Sequence, residues 1–586
     1  MRWAVPLILL ALLLPAAVFN FGFGRPLPEL PPDKTAITFA VPSPVKTLDP
    51  QRATALNDFR IIDALFEPLL TVDPETLQLV PGAAHLPEVS DDATTYTFTI
   101  RDDARWSNGD PVTSHDFKHA WFRALLPDLA AGYSGKFMLI KGAKPFFEWR
   151  TDELKQLAQN PALESGEQAW QETLAHFDAT VGLQTPDDRT LIVTLEKPTA
   201  YFPDLAGFGV FSPVHKPTAS AALNIDPDTS RVTVDPRYFI DPHRLISNGP
   251  YTLTEWAFGR RMVLDANPYY HSADRLGNDR IVQRLIRGDQ LQLLAYENGE
   301  VDWLPGIASD LIGAELIKSG RPDIHSIPSA GTYFYIFNCR PTLPDGSPNP
   351  LADPALRRAL ARCIDRQTIV DRVTRKNQPI ATTFTPAGAI TGYTPPADAA
   401  IPYDPDAARQ ILRDAGYSVK GSAGKPLPIL KLVYNTEGPH EGPALAITRH
   451  WKDQLGIEVT TEKVEWNRLL DLRDNGDFVI ARGGWFGDYV HPSTFLELFR
   501  SGDNNNDGAY ANPEVDQLLN TGRSFRDPAQ GMPYYQDAER LILNDAPIAP
   551  IYYYTQLHLF DPNRVQDFTL NAWNKTALHR IRVTPE

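Results

Sequence analysis

Short stretches in which apolar and polar residues alternate predict the strands of this chain. Alternation of this kind places every second side chain on one buried face. It occurs at 37–41, 96–100, 191–195 and 430–434, and Ile457 with Val459 begins another strand. A continuous aromatic run, TYFYIFN at Thr332 to Asn338, also predicts a strand, and we expect a domain junction there.

Apolar residues at helical spacing predict helices between these strands. Asn57 or Asp58 is expected to cap a helix with its apolar side at 61–66. Thr113 and Asp116 form the capping-box pattern of a second helix. Asp353-Pro354 starts a third, because aspartate caps a helix and proline suits its first turn. The interleaving of helices and strands favours a mixed α/β fold.

Length and charge narrow the class of protein. The 586 residues predict two or three domains. The net charge of −16 argues against nucleic acid or an anionic membrane as a partner, because both attract basic surfaces. The two cysteines, Cys339 and Cys363, can pair in an oxidising compartment, and the sequence leaves that pairing open.

The N-terminus predicts export. Arg2 precedes an apolar run from Trp3 to Phe23, which is typical of a secretory signal. No small-residue cleavage pattern and no lipid-anchoring cysteine follow it, and the run is long enough to span a bilayer. A cleaved signal and a retained membrane anchor therefore both stay open, and either places the rest of the chain outside the cytoplasm. Pro26 to Pro32 reads as a stiff tether.

The stretch FVIARGGWFGDYVHP, residues 478–492, is the strongest candidate for a ligand site. It begins as a buried strand and reaches Asp488 among Trp485, Phe486 and Tyr489. Burying a carboxylate there is costly unless a cation meets it. The alternative is a solvated loop acid beside core aromatics.

Two patterns suggest metal ligands, and each has a structural alternative. His115 and His119 are four residues apart on a predicted helix, as zinc ligands can be, but no glutamate follows His115 and a solvated helix face is the favoured interpretation. The run from 503 to 514 fits a calcium loop, whose ligands would be Asp503, Asn505, Asp507 and Glu514. Its end, Asn512-Pro513-Glu514, reads equally well as a helix start.

An ordered set of motifs runs from about Ile37 to the C-terminus. The motifs are LDP (48–50), LFEPLL (65–70), ARWSNGDPVT (104–113), NGPYTL (248–253), NPYY (267–270), DPALRRAL (353–360), GWFGDY (484–489), NPE (512–514) and PIYYY (550–554). In this order the chain resembles the extracellular solute-binding proteins of family 5, the peptide-binding proteins of bacterial ABC importers. It is most similar to the oligopeptide-binding branch.

The resemblance implies a two-lobed α/β fold of the type II periplasmic-binding-protein kind, with an extra domain on the first lobe and a hinge between the lobes. Residues 1–31 are then signal or anchor plus tether. Lobe I comprises 32–66, 201–330 and 555–586, the extra domain 67–200, and lobe II 331–554.

The resemblance also implies roles for the two charged ends of a peptide. Asp488 matches the aspartate that pairs with the ligand's α-amino group, its charge being compensated only when ligand is present. Arg482, Arg473 and His440 match basic positions that meet the carboxylate, and for Arg473 and His440 a surface charge is the alternative. Arg482 is the strongest of the three, because a guanidinium suits carboxylate geometry.

The remaining implied contacts line the cleft. The backbone at Gly484 and Phe486 matches positions that meet the peptide main chain. The aromatic walls match Trp466, Trp485, Tyr133 and Tyr554, with core packing as the alternative for Trp466 and Tyr554. Thr54 stands where the branch has an acid, beside a contact at Leu56, so one side of the pocket has lost a charge.

The implied function is capture of short oligopeptides and their delivery to an ABC permease by a monomer, without cofactor or covalent chemistry. One alternative keeps the fold but binds another solute, such as a dipeptide, a nickel complex or a sugar; Asp488, Arg482 and His440 favour peptides. A secreted hydrolase is the alternative from another class, but neither G-x-S-x-G nor H-E-x-x-H occurs in the sequence.

Overall fold

The computed structural model describes residues 27, 29–31, 34–160, 165–307, 309–419 and 422–584. Backbone contacts divide the chain into residues 1–35 and a second unit, 36–586. The few described residues of the first unit carry neither helix nor strand. The predicted signal or anchor segment, Trp3 to Phe23, lies outside the described residues, as do Pro26, Pro28 and Pro32 of the tether.

A four-stranded sheet forms near the start of the second unit. Its strands, in order across the sheet, are Ala36–Val41, Arg280–Leu285, Arg261–Ala266 and Tyr251–Ala257. The first pair is parallel and the others are antiparallel. Its buried face carries Ile37, Phe39 and Ile281 into a large core that also takes in the segment around 96–222.

A five-stranded sheet forms from strands between residues 324 and 559. Its strands, in order, are Val459–Val464, Leu430–Asn435, Ile480–Phe486, Ile324–Phe337 and Ile548–Leu559. The last two are long and antiparallel, and their pairing shifts register between Pro328 and Thr332. Beyond that shift, Leu557 and Leu559 pack with Ala40 and Leu304 beside the four-stranded sheet. These two strands therefore run from one sheet's core to the other's.

A second four-stranded sheet and three two-stranded ribbons complete the strands of the described residues. The sheet runs Glu88–Val89, Thr95–Thr99, Thr190–Thr194 and Leu183–Gln184. The ribbons pair Leu70–Val72 with Leu79–Pro81, Leu223–Ile225 with Val232–Val234, and Val565–Gln566 with Arg582–Val583.

Helices cover the faces of the sheets. The α-helices are Leu56–Leu65, Ser114–Ala124, Ser134–Phe137, Ala143–Gln159, Gly166–Thr180, Phe202–Ala206, Lys216–Ala221, Asp289–Glu297, Asp310–Ser319, Pro354–Arg362, Arg366–Thr368, Pro405–Asp414, Glu441–Leu455, Trp466–Asp474, Ser493–Leu496, Pro513–Gly522 and Pro528–Asp545. A π-helical turn covers Ile369–Thr374, and short 3-10 turns cover Pro50–Arg52, Pro127–Leu129, Gly209–Phe211, Ala273–Arg275, Pro350–Ala352, Ala397–Ala399 and Glu497–Phe499.

Several predicted helix ends are confirmed. Thr113 and Asp116 make both bonds of the capping box. Asp353 caps Pro354–Arg362 by accepting from the Ala355 amide. The predicted cap at Asn57 or Asp58 is wrong, because the helix begins at Leu56 after Ala55. Asp58 instead accepts a hydrogen bond from the Lys46 amide at 2.8 Å, which fixes the preceding loop.

A buried ion pair ties the LDP motif to the segment that follows it. The Arg123 guanidinium donates to Asp49 at 2.6 Å, and both side chains are at most 3% exposed. Arg123 also bonds the side-chain oxygen of Gln51 at 2.5 Å. This pair joins helix Ser114–Ala124 to the turn Pro50–Arg52.

Candidate functional site

Asp488 lies just beyond the end of strand Ile480–Phe486, where hydrogen bonds from the backbone hold it in place. The Gly487 amide donates to the Ala330 carbonyl at 2.9 Å, which extends the pairing with the neighbouring strand. The Asp488 amide donates to the Thr494 hydroxyl at 2.9 Å. The carboxylate is therefore fixed at the point where the chain turns away from the sheet.

The Asp488 carboxylate meets two groups from the segment at 133–136. The Tyr133 hydroxyl donates to Oδ1 at 3.2 Å, and the Lys136 ammonium lies 3.4 Å from Oδ2. The side chain is 11% exposed, so the alternative of a solvated loop acid is wrong. Burial raises the pKa of Asp488, and Lys136, Tyr133 and Lys575 oppose that rise. The protein's own lysine thus supplies a cation, contrary to the expectation that only a ligand would.

Lys136 is held between Asp488 and an aromatic ring. It lies in the short helix Ser134–Phe137, which begins directly after Tyr133. Its ammonium is 5.4 Å from the centre of the Tyr489 ring, within cation–π range. Its side chain is 27% exposed, so the ammonium keeps some access to water.

Arg482 lies on the strand that Asp488 follows and carries the opposite charge. We call Asp488 and Arg482 the two poles of the site. Its guanidinium donates to the Tyr554 hydroxyl at 2.7 Å and lies 5.0 Å from the Tyr333 ring. Phe486 stacks on Tyr554 with ring centres 4.6 Å apart, although Phe486 is 53% exposed. Because side chains alternate along a strand, positions 482, 484 and 486 share this face. A side chain at Gly484 would lie 2.6 Å from the Tyr554 hydroxyl, so glycine is what lets Tyr554 and Arg482 lie across the strand there.

His440 belongs to the same pole as Arg482. Its ring lies 5.6 Å from the Tyr333 ring. Burial and the nearby Arg482 charge lower the pKa of His440 to about 4, so it is neutral at neutral pH. Its Nδ1 atom is buried and has no hydrogen-bond partner among the described residues. His440 can therefore offer a neutral ring nitrogen to a ligand, while Arg482 carries the positive charge.

Trp485 and Arg473 do not belong to the group of residues around Arg482. Trp485 is on the opposite face of the strand from Arg482, and its indole donates to the Thr494 carbonyl at 2.7 Å. Arg473 pairs with Asp507, its Nε atom 2.8 Å from Oδ2. Arg473, Trp485 and Asp507 line a small cavity of about 40 Å³. The charge of Arg473 is thus already compensated, unlike that expected of a carboxylate-binding group.

The calcium-loop residues are not gathered as ligands. Asp507 pairs with Arg473, and Glu514 is exposed in the first turn of helix Pro513–Gly522, which Asn512 caps. The described residues contain no group of three His, Cys, Asp or Glu side chains placed to hold a metal. His115 faces Asp188 and His119 faces the Ser220 hydroxyl. No disulfide joins Cys339 and Cys363.

Three predicted contacts are largely open to solvent. Leu56 is 54% exposed and Trp466 is 36% exposed. Thr54 is exposed too, and its Cγ2 atom would be 2.5 Å from a Cβ atom placed on Gly132. Thr54 therefore borders the segment that carries Tyr133 and Lys136.

Sequence reasoning missed several residues around these poles. Lys136 follows Tyr133 by three residues, about one helical turn, which was a usable signal. Tyr333 pairs with Gly484 in the sheet. Trp573 packs where a side chain on Gly487 would be, 2.5 Å from its ring, and its indole donates to the Ala389 carbonyl at 2.6 Å. The aromatic run at 332–338 marked Tyr333 only as part of a strand, and no sequence pattern marked Trp573.

The fold and these poles define a class of protein: a two-lobed α/β solute-binding protein in which one strand carries a guanidinium and is followed, just beyond its end, by a buried carboxylate. From Arg482 to Phe486 the strand makes four residue steps, about 13 Å, and Asp488 follows two residues later. That spacing suits a small ligand with opposite charges at its ends.

Comparison with known proteins gives the family. The model of the bacterial extracellular solute-binding proteins, family 5 Middle, matches residues 78–507. The chain is 30% identical to the oligopeptide-binding protein OppA of Bacillus subtilis over 569 residues, 96% of each chain. The chain therefore belongs to the bacterial extracellular solute-binding proteins of family 5, and the predicted family is confirmed.

Solved structures confirm the predicted fold class. The unliganded open form of the periplasmic murein tripeptide-binding protein MppA matches with a TM-score of 0.74 at 26% identity, covering 94% of this chain and 98% of that one. OppA of Haemophilus influenzae in complex with RPPGFSPFR matches with a TM-score of 0.70 at 26% identity, covering 94% and 99%. Among the described residues, no helix is long and apolar enough to cross a membrane.

Proposed function

We propose that this chain is the extracytoplasmic receptor of an ABC peptide importer. It captures short oligopeptides between two closing lobes and delivers them to a membrane permease, acting as a monomer and without covalent chemistry. The observation that carries the proposal is the pair of poles, Asp488 for the α-amino group and Arg482 for the carboxylate. The relatives that are 30% identical to this chain include oligopeptide-binding proteins.

The two long strands support a closing motion. Ile324–Phe337 and Ile548–Leu559 run between the two cores, and their register breaks between Pro328 and Thr332. A break in pairing is a place where backbone angles can change with little loss of hydrogen bonding. We place the hinge there, with lobe I as 32–66, 201–330 and 555–586, the extra domain as 67–200, and lobe II as 331–554.

The chemistry of the poles favours peptides over the other solutes. Arg482 presents a planar guanidinium, which suits a carboxylate, and Tyr554 orients it. The Asp488 Oδ2 atom has only the distant Lys136 ammonium beside it, at 3.4 Å, so it can still accept a closer hydrogen bond from an amine. A neutral sugar would pair with neither the Asp488 nor the Arg482 charge. A nickel complex does not require two groups of opposite charge at these positions.

Export is the part of the proposal that rests on the sequence alone. The basic and apolar N-terminus would carry the chain out of the cytoplasm, consistent with its extracellular family. N-terminal sequencing of the protein recovered from the producing cell distinguishes a cleaved signal from a retained anchor.

Mass spectrometry of ligands tests the function. The protein is purified from its host without denaturation, its bound molecules are released with acid, and their masses are determined. Intact short peptides with free amino and carboxyl ends are the expected result. Incubation with a defined peptide mixture provides the control, since new cleavage products would indicate a hydrolase and would overturn the proposal.

A further inference from the structure

The ion pair between Lys136 and Asp488 is incomplete. Its 3.4 Å separation exceeds the about 2.7–2.9 Å of a good bond between an ammonium and a carboxylate. The Oδ2 atom that faces Lys136 is buried and lacks a well-directed hydrogen bond from the described residues. Asp488 is thus compensated in charge but still able to accept a hydrogen bond.

The charged groups around this pair do not favour the binding of a further cation. Lys575 also lies close enough to lower the pKa of Asp488, against the larger effect of burial. Lys575 and Asp63 line one cavity of about 530 Å³. Lys575 and Arg60 both act on Asp63, so the two carboxylates, Asp488 and Asp63, already meet three cations. Thr54, which lies beside Gly132, adds no charge.

A ligand that brings only an ammonium to Asp488 meets the ammonium of Lys136. Two like charges at one carboxylate repel each other, and the repulsion grows when water is excluded. The ligand avoids this cost if it also brings a negative group, which pairs with Lys136. The side chain of Lys136 is flexible and 27% exposed, so it can turn from Asp488 toward such a group.

We propose that Lys136 is a specificity residue of the cleft, which selects peptides carrying an acidic side chain at their first or second position. The acidic side chain takes the Lys136 ammonium, and the peptide's α-amino group takes Asp488. This inference rests on the proposed function and narrows its ligand class.

The test compares glutamate with glutamine, which has nearly the same shape and no charge. Tetra-alanine peptides carry one or the other at position 1, 2 or 4, and dissociation constants are measured by calorimetry at pH 7. Wild-type protein should bind the glutamate peptide about 5- to 30-fold more tightly at position 1 or 2. At position 4, far from Lys136 and beside the Arg482 pole, the ratio should be the same in wild type and in Lys136→Met.

Variants assign the preference to Lys136. Lys136→Met removes the charge and should bring the glutamate-to-glutamine ratio close to one at positions 1 and 2, whereas Lys136→Arg should keep it. Lys144→Met is the matched control, because Lys144 is 70% exposed on the next helix and pairs with Glu148. It should keep the wild-type ratio. Thermal melting establishes that each variant is folded.

The outcomes separate the inference from the function on which it rests. If the peptides bind but Lys136→Met and wild type show the same ratio, or wild type shows no preference, the inference is overturned and peptide capture stands. If no peptide binds to wild type and none co-purifies with it, both are overturned.

Discussion

Arg482 donates a hydrogen bond to the Tyr554 hydroxyl at 2.7 Å, although the two residues come from different strands of the five-stranded sheet. The same Tyr554 ring stacks on Phe486, two positions beyond Gly484. Glycine at position 484 permits this arrangement, because a side chain there would lie 2.6 Å from the Tyr554 hydroxyl and 3.0 Å from the Arg482 guanidinium.

Loss of the Arg482 guanidinium should weaken binding of peptides with a free C-terminus. Arg482→Met is expected to cost about 2–5 kcal/mol of binding free energy for such peptides, because the carboxylate loses its charged partner. C-amidated peptides should lose much less. Arg482→Lys keeps the charge without the planar fork and should fall between. Calorimetric titration measures all three, and an equal loss for amidated peptides would argue against a carboxylate site.

The Asp49–Arg123 pair should matter for stability, because both side chains are buried. Arg123→Met leaves the Asp49 carboxylate without its cation and is expected to lower the free energy of unfolding by about 3–5 kcal/mol. The double variant with Asp49→Asn removes both charges and should recover part of this loss. Urea unfolding provides the measurement. A single variant as stable as wild type would show that the pair contributes little.

His440 should give the protein a specific pH dependence. Burial and Arg482 lower its pKa from 6.5 to about 4, so the unfolded chain binds more protons than the folded one between these values. Stability is therefore fully present above about pH 6.5 and falls toward pH 4, by up to about 3 kcal/mol from this residue.

His440→Asn tests that dependence against the other buried histidines. The difference in unfolding free energy between wild type and variant should shrink by this amount from pH 7 to pH 4, because the variant lacks the titrating ring. Denaturant unfolding at four or five pH values measures it. A difference that stays constant with pH would mean that His440 titrates normally in the folded protein.

The sequence predicted most of the local structure, because helix ends depend on nearby residues. The capping box of Thr113 and Asp116 and the start at Asp353-Pro354 are examples. The cap at Asn57 or Asp58 failed because Asp58 bonds Lys46, a loop contact that no helix pattern reveals.

The site was predicted less completely, for two reasons. Lys136 reaches Asp488 only through the tertiary fold, and its position three residues after Tyr133 was the one signal of the pair in the sequence. Arg473 likewise finds Asp507 in a loop that was interpreted as a calcium pattern. The placement of Trp485 on the far side of the strand from Arg482 follows from simple alternation, and the resemblance alone obscured it.

Asp488 is the most direct residue to test, because its buried carboxylate should pair with the α-amino group of the peptide. In Asp488→Asn the side chain keeps its shape and loses its charge, while Asp152→Asn, 67% exposed on a helix surface, serves as the matched control. The control should bind every peptide as wild type does.

The most direct test of the account is calorimetric titration of Asp488→Asn with one peptide in its free and N-acetylated forms. We expect binding of the free peptide to weaken by about 2–5 kcal/mol and that of the acetylated peptide to change much less. Equal weakening of both forms would contradict the role of Asp488 as the partner of the α-amino group.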